Sequence, residues 1–268
     1  MHLSQVGLQH PRVKLLRAVL RASSSRDRHL LVAEGLWAHE RLLELGTPIE
    51  VFLWCPEAAT SVAHRRSRQV AQRAAHAYQV SARVLARLTE RDQPDGMVSL
   101  VRLPTWHPAA VPLRDRAVVL VADAIEIPGN LGTLLRSLDA CGGDCLLLTN
   151  RRTRLSHPLV FRASRGMSLR VPVLEFGDPA AAIDWLSGRG FAIHLATTGP
   201  EAVPYHRVSF PHRTALVVGN ERHGLSGPWH GHGFAEVSVP MLGAADSLNV
   251  GACASVLLYA VRARLAGW

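Results

Sequence analysis

The chain has 268 residues, 48% of them hydrophobic and 19% charged, with a formal net charge of +9. That length holds one large domain or two ordinary ones, and the composition excludes a disordered chain. Nearly all of the positive charge is arginine, Lys14 being the only lysine; a guanidinium is a planar fork for phosphates, so the charge favours a polyanion, nucleic acid first, with a merely basic soluble enzyme as the plain alternative.

No run approaches the ~18 apolar residues of a membrane span, and the first residues lack the apolar core of a secretory leader. The expected location is therefore the cytoplasm, with no membrane contact. Cys55, Cys141, Cys145 and Cys253 are scattered, without the paired spacing of a zinc site. They read as buried free thiols in a reducing compartment, and no metal is expected. The histidines read as dispersed, mostly surface residues.

Residues 1–104 read as a small α/β unit. A basic amphipathic helix opens it within 12–28 and is followed by a serine-rich break. A strand over 29–33, a helix over 36–45 and a strand over 49–55 follow. The arginine-rich segment 63–77 reads as a helix with a solvated face carrying His64, Arg65, Arg66, Arg68 and Arg73, a face able to touch phosphates. A turn and strand close the unit, and the proline-bearing stretch 103–112 is the natural linker.

From residue 116 onward strands and helices alternate. Apolar strands are expected over 117–122, 145–148, 171–174, 191–196, 214–219 and 236–239. Helices are expected over 130–140, up to Arg165, over 179–187 and from 250 to the C-terminal end. This alternation implies a mainly parallel sheet covered on both faces, with ligands outside the carboxyl ends of its strands.

Three loops stand at such ends. The first, Ile127-Pro128-Gly129-Asn130-Leu131-Gly132, is neither a P-loop nor a dinucleotide fingerprint. Asn130 can cap the helix it opens, and Arg136 lies off the core face formed by Leu131, Leu134, Leu135 and Leu138. The second runs Gly219-Asn220-Glu221-Arg222-His223-Gly224-Leu225-Ser226, and its carboxylate asks for solvent or a cation such as Arg136 or Arg165. The third, Met241 to Asn249, leads into the last helix, with Asp246 or Ser247 as the expected N-cap. That helix carries an apolar stripe of Val250, Cys253, Leu257, Val261 and Leu265.

Together these residues resemble the SpoU/TrmH family of RNA 2′-O-ribose methyltransferases. Its first motif, Asn-x-Gly with an arginine six residues after the asparagine, is met by Asn130, Gly132 and Arg136. Gly219, Asn220, Glu221, Gly224, Leu225 and Ser226 meet the second. Pro240, Met241, Gly243, Ser247, Leu248, Asn249 and Val250 meet the third. Val32-Ala33-Glu34-Gly35, with Gln93, Pro94 and Gly96, is similar to the L30e-type RNA-binding domain of many members. Ile127 stands where many members have aspartate, and Asp246 replaces a common glutamate. Ile127 and the segment Arg162-Ala163-Ser164-Arg165-Gly166 are closer to the thiostrepton-resistance branch, which acts on large-subunit rRNA.

The resemblance implies an α/β fold: a Rossmann-like, mainly parallel sheet with a C-terminal trefoil knot over 113–268, plus a small N-terminal L30e-like RNA substrate-binding domain over 1–104. It implies a homodimer formed through the knotted domain. The implied reaction is S-adenosyl-L-methionine-dependent methylation of a ribose 2′-hydroxyl in RNA, 23S rRNA favoured over tRNA, in housekeeping modification or antibiotic resistance. A catalytically silent RNA-binding or ribosome-assembly protein is the rival class. Arg136 is the implied catalytic arginine, as base or as electrostatic stabiliser, with Asn130, Glu221, Ser247 and Asn249 completing the site. Thr197, Gly219, Asn220, Val239, Met241, Ser247 and Leu248 are the implied cofactor residues. Arg136, Arg165, Arg65 and Arg66 are the implied RNA contacts, and Arg151, Arg152 and Arg154 read either as an RNA-facing loop or as a solvated turn.

Overall fold

In the first half of the chain, four short apolar strands find one another across helices whose apolar stripes cover them. The computed structural model describes residues 3–21, 29–89 and 91–267, so the serine-rich break lies outside the described residues. By internal contacts the chain divides into Met1–Pro104 with Leu155–Arg162, and Thr105–Arg154 with Ala163–Trp268.

The first unit runs α1 (Pro11–Arg21), β1 (Leu30–Glu34), α2 (Leu36–Glu44), β2 (Ile49–Trp54), α3 (Ser61–Arg73), β3 (Ala74–Gln79), α4 (Ala82–Leu85) and β4 (Met97–Arg102). Its sheet has the order β1-β4-β2-β3, with β4 antiparallel to both neighbours and β2 parallel to β3. Alternation along β2 sends Val51 and Leu53 into a core with Val13, Leu16 and Val19 of α1. Phe52 and Trp54 stack on the opposite side, where the ring edges of His39 and His64 meet them.

The sequence predicts one helix across 63–77, and the structure corrects this. Thr60 caps α3 by accepting from the Ala63 amide at 3.2 Å, and the helix stops at Arg73. Residues Ala74–Gln79 extend instead as β3 along β2. Pairing with β2 overrides the helical preference of the alanines, a tertiary effect that local propensity does not carry.

His39 and His194 are also buried, against the expectation of surface histidines. The carbonyl of Gly35 can only accept, so His39 Nδ1 carries the proton and donates to it at 2.7 Å; Nε2 accepts from Ser99 Oγ at 2.8 Å. Burial pushes the His39 pKa down from 6.5 to about 4. Between those values the unfolded chain takes up a proton that the native state refuses, so stability present above pH 6.5 is lost as pH falls toward 4. Lowering the pH from 6.5 to 5 will cost about 2 kcal/mol through this residue. Urea unfolding of His39→Gln, which cannot be protonated, will show that slope removed; an unchanged slope would sink the assignment.

The second half runs β5 (Val118–Asp123), α5 (Pro128–Ala140), β6 (Cys145–Thr149), α6 (Pro158–Ala163), β7 (Val173–Glu175), α7 (Pro179–Ser187), β8 (Ala192–Ala196), β9 (Val203–Pro204), β10 (Thr214–Val218), β11 (Ala235–Ser238) and α8 (Val250–Ala266). Its seven-stranded sheet, β7-β6-β5-β10-β8-β11-β9, is parallel at every pair, which is the Rossmann-like α/β arrangement. The central strands β5, β6 and β10 are buried along their whole length, so they read as apolar runs with one polar residue at an end: Asp123, Thr149 and Thr214. Residues of α7 share a core with β5, β6, β8 and β10. Helix α8 packs on α5, where Ser137 and Ser255 join hydroxyls at 2.6 Å. Gly251 permits that approach, because a Cβ there would lie 2.7 Å from Thr133 Cγ2.

Cys55, Cys141 and Cys145 are buried and Cys253 is half-buried; burial raises all four thiol pKa values. Among the described residues no helix is long and apolar enough to cross a membrane.

Candidate active site

Strands β5 and β10 lie side by side and parallel, so both open their carboxyl ends at the same edge of the sheet. Chain connections leave this central pair in opposite directions, the arrangement that opens a crevice for ligands. Loop 219–226 emerges there from β10. Asn220 closes it into a turn: its Oδ1 accepts from the amides of Arg222 and His223 at 2.8 and 3.1 Å, and its backbone exchanges two hydrogen bonds with Gly224 at 2.9 Å. The remaining Asn220 amide hydrogens reach the Ala124 carbonyl at 3.0 Å. The side chain of Asn220 is therefore committed to the loop, and it meets the cavity from within that turn.

Three asparagine and glutamate side chains join the loops. The Gly251 amide donates to Asn249 Oδ1 at 2.9 Å, which turns the Asn249 amino group toward Asn130 Oδ1 at 3.1 Å. The amino group of Asn130 then donates to the Glu221 carboxylate. A backbone donor at one end and a carboxylate at the other fix the orientation of both amides. Two capping expectations are corrected here. Helix α5 begins at Pro128, with Ile127 at its N-cap and no side-chain cap, so Asn130 sits inside the first turn with its amide free for Glu221. Asn249, not Asp246 or Ser247, caps α8; Ser247 and Asp246 are exposed on the loop before it.

Beside this junction lies a cavity of about 470 Å³. Thr197, Gly219, Asn220, Val239, Met241, Ser247 and Leu248 all line it, as does Glu221. Thr198, Arg222, His223, His230 and Cys253 line it too. Sequence reasoning missed these; for Cys253 the signal was present, since its helical position matches the stripe, yet the cavity cuts into that stripe. Apolar Val239, Leu248 and Val250 face polar Thr197, Ser247 and the carboxylates Glu221 and Asp246, a mixture suited to a heterocycle with a cationic, hydrogen-bonding tail.

Asn130 and Asn249 belong to the junction and not to the cavity lining. Arg136 stands exposed farther along α5, off the cavity lining, and its side chain makes no hydrogen bond or ion pair to a described residue. Arg165 is exposed in a left-handed conformation, φ 54°, just ahead of Gly166 at φ 83°. Arg65 and Arg66 lie on α3 of the first unit, where Arg66 is shared with Glu40 at 3.6 Å and Gln69 at 3.3 Å while Arg65 is exposed. Of the basic loop, Arg151 pairs with Glu175 at 3.0 Å.

A parallel sheet with a ligand-sized cavity at the carboxyl ends of β8, β10 and β11, walled by the loops that follow them, defines a cofactor-binding α/β protein. The chain belongs to the SpoU rRNA methylase family, whose profile matches residues 117–259. An MRM3-like substrate binding domain matches residues 10–99. The chain is 30% identical over 243 residues to the 23S rRNA (uridine(2479)-2′-O)-methyltransferase of Streptomyces viridochromogenes, a match that covers 88% of this chain and 80% of that one. The crystal structure of the SpoU methyltransferase AviRb from Streptomyces viridochromogenes in complex with AdoMet matches at 26% identity and a TM-score of 0.83, over 97% of this chain and 100% of that one. The AdoMet-bound rRNA methyltransferase of Sinorhizobium meliloti shares the fold, with a TM-score of 0.85 at 24% identity over 98% of each chain.

Proposed function

We propose that this chain transfers a methyl group from S-adenosylmethionine to a ribose 2′-hydroxyl of large-subunit rRNA. The observation that carries this reading is the hydrogen-bonded junction of Asn249, Asn130 and Glu221, which joins all three motif loops at the wall of the cavity. The rRNA activity of the Streptomyces relative and the cofactor bound to AviRb support it.

The cavity residues fit the cofactor. Val239, Leu248 and Val250 offer an apolar slot for an adenine, and Gly219 lines the cavity where its lack of a side chain lets Gly224 and Leu225 close the loop against it. When bound, the sulfonium supplies a methyl group already attached to a good leaving group. The protein must orient the attacking hydroxyl and accommodate the charge that develops on its oxygen. The exposed guanidinium of Arg136, without a side-chain partner among the described residues, is available for this work. A guanidinium offers only donors in a planar fork, which makes it a stabiliser of the developing alkoxide or of its neighbouring phosphate, and a poor proton acceptor.

The test is transfer of labelled methyl to unmodified 23S rRNA and to tRNA, with Arg136→Ala as control. Label confined to 23S rRNA is the expected result. Label confined to tRNA overturns the substrate assignment. Cofactor binding without label in either RNA means a missing substrate context or a protein that binds RNA without modifying it.

The same reading extends to residues 1–104 as an L30e-like RNA-binding domain, with Arg65, Arg66 and Arg165 as RNA contacts, to a trefoil knot at the C-terminal loops, and to a cytoplasmic homodimer. Free thiols suit a reducing compartment. For the dimer, support comes from an exposed apolar strip on α8, Ala252, Val256 and Tyr259, the last two 37% and 44% exposed. Contiguous exposed apolar area of this kind marks an interface. Light scattering will give twice the 29.2 kDa chain mass. Tyr259→Asp will shift it toward the monomer, and a monomeric parent protein would end the dimer assignment.

A further inference from the structure

Asp123, the last residue of β5, is fully buried and takes no part in the junction of Asn130, Glu221 and Asn249. Its carboxylate is surrounded by donors. Thr149 Oγ1 and Asn150 Nδ2 donate to Oδ1 at 2.8 and 2.9 Å, and the Ser226 amide donates to Oδ2 at 2.8 Å. Asn150 Nδ2 also donates to Ser226 Oγ at 3.1 Å. The residues just beyond the two strand ends, Ala124 and Asn150, are held in left-handed backbone at φ 53° and 48°. Non-glycine residues remain there only when their surroundings over-determine them, and such strain gathers at functional sites.

Ala124 shows what the surroundings are. Its amide donates to the Thr149 carbonyl at 3.0 Å, and its own carbonyl accepts from Asn220 Nδ2 at 3.0 Å. Loop 219–226 is thus tied twice to the dipeptide Asp123-Ala124, near its start through Asn220 and at its end through Ser226. Between the ties stand Glu221, Gly224 and Leu225, which line the cavity, and Glu221 is the residue that meets Asn130.

We infer that Asp123 is a positioning residue: by holding the Ser226 amide it sets loop 219–226 where the loop lines the cofactor cavity and Glu221 reaches Asn130. This rests on the reading of that cavity as the S-adenosylmethionine site. The carboxylate accepts on both oxygens, whereas Asp123→Asn has one acceptor: with its amino group toward Ser226 it loses that tie, and with its amino group toward Thr149 and Asn150 it meets the donating amide of Asn150. Thr149→Val is the contrasting change, since it removes one donor from Asp123 and leaves the tie to Ser226 in place.

The experiment measures, on the full chain well below each Tm, S-adenosylmethionine Kd by calorimetry and amide hydrogen exchange of the peptide covering 219–226. Asp123→Asn will raise Kd at least about tenfold and speed loop exchange by a similar factor, as expected for a lost hydrogen bond to a charged group. Thr149→Val will lower Tm yet keep Kd within about twofold and loop protection unchanged. An Asp123→Asn protein that loses Tm while Kd and loop exchange stay at their parental values makes Asp123 merely structural and overturns the inference. Should Asp123→Asn fail to fold, Ser226→Pro takes its place, because Ser226 sits at φ −70°, which proline adopts, and the change removes the amide that donates to Asp123. Faster loop exchange is then expected, and unchanged protection overturns the inference. A parent chain that does not bind S-adenosylmethionine defeats the functional reading instead, while the exchange data still decide the role of Asp123.

Discussion

Arg136→Ala will lower methyl transfer to rRNA by about 10²–10³-fold, the usual loss when one preorganised donor to a developing oxyanion is removed. S-adenosylmethionine affinity will stay within about twofold, because Arg136 is exposed on α5 and does not line the cavity. Its neighbours Leu134, Leu135 and Leu138 face the core, so truncating Arg136 leaves the packing of the helix intact. Arg136→Lys separates the two roles open to this residue. A stabilising role predicts weak activity with an unchanged pH profile, since lysine keeps the charge but not the planar fork. Recovered activity with a new basic limb near the lysine pKa would establish proton abstraction and refute the electrostatic role.

Gly219→Ala is expected to abolish the cavity by a different physical route. A Cβ at this position would lie 2.4 Å from the carbonyl carbon and oxygen of Gly224 and 2.6 Å from the Leu225 amide nitrogen. All three are backbone atoms, in a loop whose closure is held by paired Asn220–Gly224 hydrogen bonds at 2.9 Å. No rotamer can relieve the clash, so the loop must move. The substitution should lower stability by ~1–3 kcal/mol, the range for overpacking, and raise the S-adenosylmethionine Kd more than about tenfold. Gly129→Ala is the control, since a Cβ there meets nothing within 4 Å and the residue lies in the first turn of α5. Thermal melts and calorimetry on the pair give the answer. Parental affinity in Gly219→Ala would show that loop 219–226 does not form the cofactor wall.

The second half of the chain was legible because its strands are buried on both faces. Ala117 to Ala122 and Ala215 to Val218 are unbroken apolar runs, the pattern of parallel strands covered by helices on both sides. The three loops were legible for a related reason: glycines and short polar residues clustered at strand ends are what backbone close to a ligand requires. All seven residues that the family resemblance implied for the cofactor line one cavity.

What the residues do to one another was decided by the tertiary structure alone. Asn130 meets Glu221 across 91 residues of chain and Asn249 across 119, distances over which no local spacing carries information. Read locally, Asn130 is a helix cap; in the fold its amide is worth more as a bridge, because Pro128 already occupies the first helical position and Asn249 and Glu221 present their complements. The alanines of β3 favour a helix until β2 offers them a parallel partner. Asp123 looks like an ordinary strand-end residue until Thr149, Asn150 and the Ser226 amide converge on it. Periodicity thus determined which segments are buried, since burial repeats along one chain segment. Hydrogen-bond partners come from segments far apart, and only the assembled sheet brings them within reach.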